Sequence, residues 1–431
     1  MAGSYICMNA QPTSSTSIDM RILYNIGIWF YLFFIHVAAL FHPKAKHWVA
    51  GRKNWISQLT KWRENHPGKL VWIHCSSLGE FEQGRPVIES LKKEQLNVQI
   101  LLTFFSPSGY EIRKDYKQAD GVFYLPADTL SNAAKFVDIS RPSLVIFVKY
   151  EFWANYLFTL KSKEIPIISI STIFREDQRF FKSKSGFWVN VLKCFDHFFV
   201  QNSKSAELLR QLSINSFTIV GDTRFDRVVE IANQTWSDPI LDSFCKGRQI
   251  LVIGSSYSTE EIIAKEVQSN IPELALIIAP HEVNENRVQE MLSYFGEEAM
   301  LWSENNSESE QTKNVLVIDS IGKLSMIYRY ADVVLIGGGY GKGIHNTLEA
   351  AVYGKALFFG PTWQKFDEAR GLIECGGALS VESPPDLVQS MCQILNEPEM
   401  MHQMGSNSKR FVSENLGATE QIMMYLSAKL K

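Results

Sequence analysis

Three short stretches set charged side chains directly behind apolar runs, where a buried strand would end. In "IHCSSLGEFEQGRP" (73–86), Ser76, Ser77 and Gly79 read as a turn, and Glu80 follows at the start of a helix. In "VKYEFWANYL" (148–157), Glu151 stands three residues past the apolar run, and "VGDTRFDRV" (220–228) sets Arg224 between two acids. A carboxylate at the carboxyl end of a parallel strand faces the crevice where such sheets bind ligands, and there it can take a proton from an attacking hydroxyl. A second reading of Glu80 stands beside this one. With Glu82 it would favour the dipole of a helix N-terminus. An Asp–Arg cluster such as 222–226 is equally at home as a solvated ion pair.

A fourth stretch, "IGGGYGKGIHNTLEAAVYG" (336–354), holds five glycines in seven residues before Ala-rich helical sequence. It lacks the spacing of a P-loop and has no G-x-G-x-x-G register. It still follows an apolar run and opens a helix near Asn346 and Thr347, so Gly339, Gly341, Lys342 and Gly343 are expected to form a phosphate loop. Glu349 completes an N-x-x-E capping box with Asn346, or accepts hydrogen bonds from a ribose diol; both readings stand. "APHEVNENR" (279–287) and "DSIGKLSMIYRYAD" (319–332) carry further polar groups behind apolar runs.

The elements that must position these groups form two series of β-branched runs alternating with helical patterns, the mark of parallel sheets with crossover helices. The first comprises 70–75, 98–104, 143–148, 166–172, 197–200 and 217–220, and the second 249–255, 274–280, 315–319, 332–338 and 356–360. At 431 residues the chain exceeds one core. The expected organisation is an α/β fold with Rossmann-like, doubly wound domains at 45–232 and 248–405, a linker at 233–247 and a C-terminal helix at 406–431 packing on the first domain. The polar stretch 303–314 reads as a surface loop. Net charge is −3, which gives no basic surface for nucleic acid. The six cysteines form no CxxC pair and read as reduced thiols without a metal site.

Residues 22–41, "ILYNIGIWFYLFFIHVAALF", are apolar over about one bilayer crossing and are interrupted only by Asn25 and His36. Lys44, Lys46, Arg52, Lys53 and Lys61 follow, against Arg21 and Asp19 before, which predicts a membrane anchor with the bulk of the chain on the cytoplasmic side. A helix lying in the interface is the alternative. Residues 1–21 read as disordered.

Taken in order, H-x-S-x-GE (His74 to Glu80), E-x-W-x-N (Glu151 to Asn155), G-D-T-R-F-D (Gly221 to Asp226), P-H-E (Pro280 to Glu282), GG…G-x-HN-x-LE-x-A (Gly337 to Ala350) and GP-x-x-x-x-F-x-E (Gly360 to Glu368) resemble the 3-deoxy-D-manno-octulosonic acid (Kdo) transferases. The resemblance implies a GT-B glycosyltransferase with two Rossmann-like domains facing a cleft. It further implies a CMP-Kdo donor, a lipid A precursor as acceptor, and work at the cytoplasmic face of the bacterial inner membrane. No cofactor is implied, and no Asp-x-Asp metal motif stands at a strand end. Carried over, the catalytic base falls on Glu80, a second acid on Glu151 and a basic partner on Arg224. Donor binding falls on Pro280, His281, Ile321, Gly322, Lys323, Asn346, Thr347, Leu348 and Glu349. The chain departs from the family pattern at His281 (usually arginine), Arg224 (usually lysine) and Thr347 (usually proline). A GT-B transferase using a UDP- or GDP-sugar and a nucleotide-sugar epimerase of the same fold are the alternatives.

Overall fold

A computed structural model describes residues 15–94, 96–182, 186–304 and 313–430. The disorder expected for residues 1–14, most of the loop expected at 303–314, and Cys7 lie outside the described residues. The chain divides into two compact units, one of residues 1–224 with 417–431 and one of residues 225–416.

In the first unit, seven strands among the described residues form one parallel sheet: β1 (Leu70–Cys75), β2 (Gln99–Phe104), β3 (Gly121–Tyr124), β4 (Leu144–Val148), β5 (Ile167–Thr172), β6 (His197–Val200) and β7 (Phe217–Ile219). Their order is β3-β2-β1-β4-β5-β6-β7, so the direction of winding reverses between β1 and β4. β1 and β4 are buried along their whole length, as expected of runs such as LVWIHC and LVIFV covered by helices on both faces. The helix Leu78–Lys93 leaves β1 with Ser77 as its N-cap, which puts Glu80 in its first turn.

The second unit repeats the design with β8 (Ile250–Ser256), β9 (Ala275–Pro280), β10 (Ala299–Leu301), β11 (Val315–Val317), β12 (Val333–Ile336), β13 (Ala356–Phe359) and β14 (Ala378–Ser380). The order is β10-β11-β9-β8-β12-β13-β14, with the reversal between β8 and β12. Three strands were not foreseen in the sequence: β3, β10 and β14. All three are only three or four residues long and lie at a sheet edge, where a short half-covered strand leaves no long apolar run.

Four boundaries differ from expectation. The N-terminal helix runs Ser15–Ala38, so residues 15–21 are helical, and the stretch apolar enough to cross a membrane is Met20–Ala38. Residues 233–247 are not a plain linker, because Asp238 caps a helix Pro239–Cys245 whose Leu241 and Phe244 enter the second core. The division between units falls at Arg224, inside the helix Thr223–Ala232. The single C-terminal helix is two, Pro398–Glu414 and Ala418–Leu430, separated at Gly417, whose φ of 103° a non-glycine residue rarely adopts. The second of these belongs to the first unit, where Ile422, Met423 and Leu426 share a core with Phe81 and Ile88 of the Glu80 helix.

The N-terminal helix is not free of the first unit. Tyr24, Asn25, Ile28, Leu32 and Ile35 are half-buried at helical spacing, while Trp29, Phe30, Phe33 and Phe34 on the other side are each about 60% exposed or more.

The glycines behind β12 answer first to packing. A Cβ on Gly339 would stand 2.4 Å from the backbone nitrogen of Gly360, and Gly338 has φ of 86°. Gly339→Ala is therefore expected to cost about 1–3 kcal/mol through backbone displacement, read as a lower urea midpoint at unchanged m-value.

Candidate functional site

The reversal between β1 and β4 gathers the acids that the sequence singles out. Glu80 follows β1 and Glu151 follows β4, strands paired directly through Val71↔Leu144 to His74↔Phe147. The Glu80 carboxylate accepts from the Ser76 backbone N–H. Glu151 is buried and accepts from the Trp153 indole N–H and from His74 Nε2 at 3.2 Å. His74 is fully buried, and its Nδ1 meets Thr103 Oγ1 at 2.8 Å, so the ring is fixed from both sides.

These surroundings set the chemistry of Glu80. Burial and the nearby charge of Glu151 push its carboxyl up to about 8, against the pull of the Ser76 amide and the Lys149 ammonium. A carboxylate so raised is suited to accept a proton near neutral pH, which the capping account of Glu80 does not require. Lys149 was not picked out in the sequence. It directly follows β4 with φ of 67°, a left-handed conformation that costs a lysine about 1–3 kcal/mol. Its charge acts on both Glu80 and Asp222.

Arg224 is bound by its neighbour. Its Nε donates to Asp222 Oδ2 at 2.9 Å and its backbone N–H to Oδ1 at 2.9 Å, while Gln83 of the Glu80 helix also donates to Oδ2 at 3.0 Å. Burial alone would raise Asp222, yet the Arg224 charge and hydrogen bonds outweigh it and hold the carboxyl below its usual range. Arg224 is thus tied to the Glu80 helix through one buried acid rather than standing as a solvated pair.

A cavity of about 570 Å³ opens beside Glu151. Tyr24 and Ile28 of the N-terminal helix, Trp153, Phe180 and Trp188 line it, with Arg179 and Lys182.

In the second unit the residues named from the sequence fall into separate groups. Tyr257 after β8, His281 after β9 and His345 after β12 form a ring cluster. Tyr257 stacks on His281 with centroids 4.9 Å apart, the two imidazoles are 4.5 Å apart, and Tyr257 Oη lies 3.2 Å from His345 Nε2. Burial and the adjacent His281 lower His345 to about 4, leaving it neutral at pH 7. Tyr257 and His345 were not singled out in the sequence, since only the strand order brings them together. Pro280 closes β9. Ile321 is exposed, Gly322 has φ of 87°, and Lys323 Nζ sits 3.3 Å from the centre of the Trp302 ring. Thr347 and Leu348 are fully buried, so their side chains fill the core.

The phosphate loop expected behind β12 takes another form. The amides of Gly341 and Gly343 donate to Gly338 O, and that of His345 to Gly337 O. Gly338 N–H donates at 2.9 Å to the buried carboxylate of Glu260, which also accepts from the Tyr340 and Tyr257 backbones. The Gly338 amide thus holds a carboxylate of the chain's own. Lys342 points into solvent. The helix after Asn346 is only Leu348–Ala351, too short to supply a dipole. Glu349 accepts from the Asn346 side-chain amide at 2.9 Å.

Residues 52–227 match the family model described as 3-Deoxy-D-manno-octulosonic-acid transferase (kdotransferase). The span takes in Glu80, Lys149, Glu151 and Arg224. The chain is 26% identical to the 3-deoxy-D-manno-octulosonic acid transferase of Haemophilus influenzae over 85% of its length and 88% of the relative's. It is 23% identical to that of Rickettsia bellii over 83% and 87%. The chain is a relative of the Kdo transferases. This relationship makes it a glycosyltransferase. Among solved structures, the UDP-GlcNAc 2-epimerase of Neisseria meningitidis bound to UDP-GlcNAc shares the fold with a TM-score of 0.59 at 15% identity, over 83% of this chain and 99% of that one. That likeness bears on the architecture alone.

If Glu80 must be ionised to work, kcat/KM rises with pH and levels off above about 8. Glu151→Gln removes a repulsion and moves that limb to lower pH, whereas Lys149→Met removes an attraction and moves it higher. Glu80→Gln lowers kcat by roughly 10²–10⁴ with no remaining limb near 8. Initial rates across pH 5.5–9.5 check all three.

Proposed function

We propose that the protein is an inverting transferase that moves Kdo from CMP-Kdo to a lipid A precursor at the cytoplasmic face of a bacterial inner membrane. The observation that carries this reading is the pair of carboxylates at the β1/β4 reversal, one raised and one buried against His74 and Trp153, in a relative of the Kdo transferases. Glu80 takes the proton of a sugar hydroxyl on the acceptor. The hydroxyl oxygen bonds to the anomeric carbon of Kdo as the bond from that carbon to the CMP phosphate oxygen breaks, and CMP leaves with the electron pair. Glu151 stands where its negative charge favours the electron-poor anomeric centre, and Lys149 and Arg224 supply positive charge near the reacting groups.

The donor belongs to the second unit in this reading. Pro280, His281, the 321–323 turn, Asn346 and Glu349 are its proposed contacts, with Tyr257 and His345 offering ring faces to a base or sugar. A neutral His345 and the solvent-facing Lys342 leave the phosphate to hydrogen-bond donors and Lys323 rather than to a dense cluster of cations. The acceptor suits the first unit. The cavity beside Glu151 joins aromatic walls to Arg179 and Lys182, the chemistry that an acylated, phosphorylated sugar requires. The apolar N-terminal helix keeps the enzyme beside a substrate whose acyl chains stay in the bilayer.

Mass spectrometry of a tetra-acylated lipid A precursor incubated with the chain and CMP-Kdo generated in the same tube tests the reaction. A mass gain of one or more Kdo units with the wild type and none with Glu80→Gln is expected. CMP at a hundredfold excess over its Kd should add about 2.7 kcal/mol of apparent stability, and UDP none. Absence of transfer beside an active reference enzyme, or protection by UDP instead of CMP, overturns the reading in favour of another nucleotide sugar.

A further inference from the structure

An apolar helix that serves only as a tether has no use for polar side chains, yet this one carries Tyr24 and Asn25 on the side that faces the protein. Both are spent on the loop behind β4. The Tyr24 hydroxyl donates to Asp128 Oδ2 at 2.5 Å, and Asp128 also accepts from the backbone N–H groups of Asn155 at 3.0 Å and Tyr156 at 2.9 Å. The fully buried Asn155 donates from Nδ2 to Asn25 Oδ1 at 2.9 Å and to the Asp128 carbonyl at 2.6 Å. Asn155 lies two residues beyond Trp153, whose indole N–H holds Glu151. Trp153 packs on Phe105 with centroids 4.6 Å apart, and Phe105 in turn meets Tyr31 of the same N-terminal helix at 6.1 Å. Two turns of the helix therefore grip the 153–155 backbone from one side and the Trp153 ring from the other.

We infer that the N-terminal helix is a positioning element of the active site, in which Tyr24 and Asn25 clamp residues 153–155 and so fix Glu151 against His74 and in register with Glu80. This rests on the reading of Glu80 and Glu151 as the reacting pair. A plain tether could be exchanged for any helix of equal apolarity. A clamp could not, because Asn155 would lose the acceptor for one of its amide protons and Asp128 the hydroxyl that helps hold it. Burial sets the charge state of Glu80 together with the charges of Glu151 and Lys149, with Ser76 and Ser77 donating through their backbones. Release of Glu151 from its place is thus felt at Glu80.

Asn25→Leu tests the idea, since it makes the helix a better membrane segment while removing the clamp. Tyr24→Phe removes only the hydroxyl and keeps the ring against Phe187 and Trp188. Phe34→Leu, on the exposed face, is the control. The full chain in detergent micelles is assayed with CMP-Kdo and the tetra-acylated precursor, and hydrogen exchange is followed by mass spectrometry across residues 151–156. Asn25→Leu is expected to float with membranes like the wild type, to keep its KM for donor, and to lose roughly 10- to 100-fold in kcat. Its pH–rate limb should move down from near 8 and exchange at 154–156 should quicken, with Tyr24→Phe changed in the same sense and Phe34→Leu unchanged. Wild-type kcat, limb and exchange in both clamp variants overturn the inference. Should Asn25→Leu fail to fold, Tyr24→Phe decides by the same readouts. Exchange reports on the clamp whatever the donor, whereas wild-type transfer of Kdo reports on the functional reading, so failure of one is separable from failure of the other.

Discussion

Two carboxylates repel one another where β1 and β4 turn away in opposite directions, and much of the first unit is arranged to keep them there. His74 lies beneath Glu151 with its far nitrogen on Thr103, and Trp153 caps the same acid. Ser76 donates to Glu80 at the start of its helix. Lys149, left-handed in its backbone, exerts its positive charge on Glu80 and Asp222. Burial raises the Glu80 carboxyl first and the charge of Glu151 raises it further, so removal of the repulsion would bring it only part of the way back toward an ordinary carboxylate. Burial and the tension between two like charges together set Glu80 apart from an ordinary helix-capping glutamate.

The second unit handles negative charge in the opposite way. There Gly338 closes on an internal carboxylate, Glu260, whose burial still raises it against the pull of its backbone donors. The stretch that most resembles a ligand cradle is thereby a structural joint. It sets the direction in which His345 leaves β12 and lets its ring meet those of Tyr257 and His281.

Much of this was legible in the sequence. The runs that became β1, β2, β4, β5 and β6 are almost continuously apolar because both faces of each strand are covered, and they place Glu80 and Glu151 behind strand ends. What stayed hidden depends on neighbours across the sheet. Lys149 is one residue past a strand, a position with no composition signal, and its role comes from a backbone angle. Glu260 sits 78 residues from the glycine it serves. Asn25 looked like a blemish in an apolar helix until Asn155, 130 residues away, was found to donate to it. Glycine spacing likewise reveals freedom of the backbone and not whether its amides, here those of Gly338, Gly341 and Gly343, already have partners.

The helix Ala418–Leu430 completes the core under the Glu80 helix, and Lys69 at the entry to β1 reaches the Leu430 carbonyl 361 positions on. A ribosome makes the whole second unit between those two contacts. The first unit therefore waits through most of synthesis with one face of its sheet incompletely covered, even though domains generally fold in the order in which they emerge. Closing so long a loop is slow relative to local folding, so the second unit, whose residues 225–416 are continuous, has the means to fold first. Glu80 is seated in its final packing only once Ala418–Leu430 has been made, and a nascent chain cut short between Glu151 and Ala418 would carry both carboxylates without the helix that finishes their support.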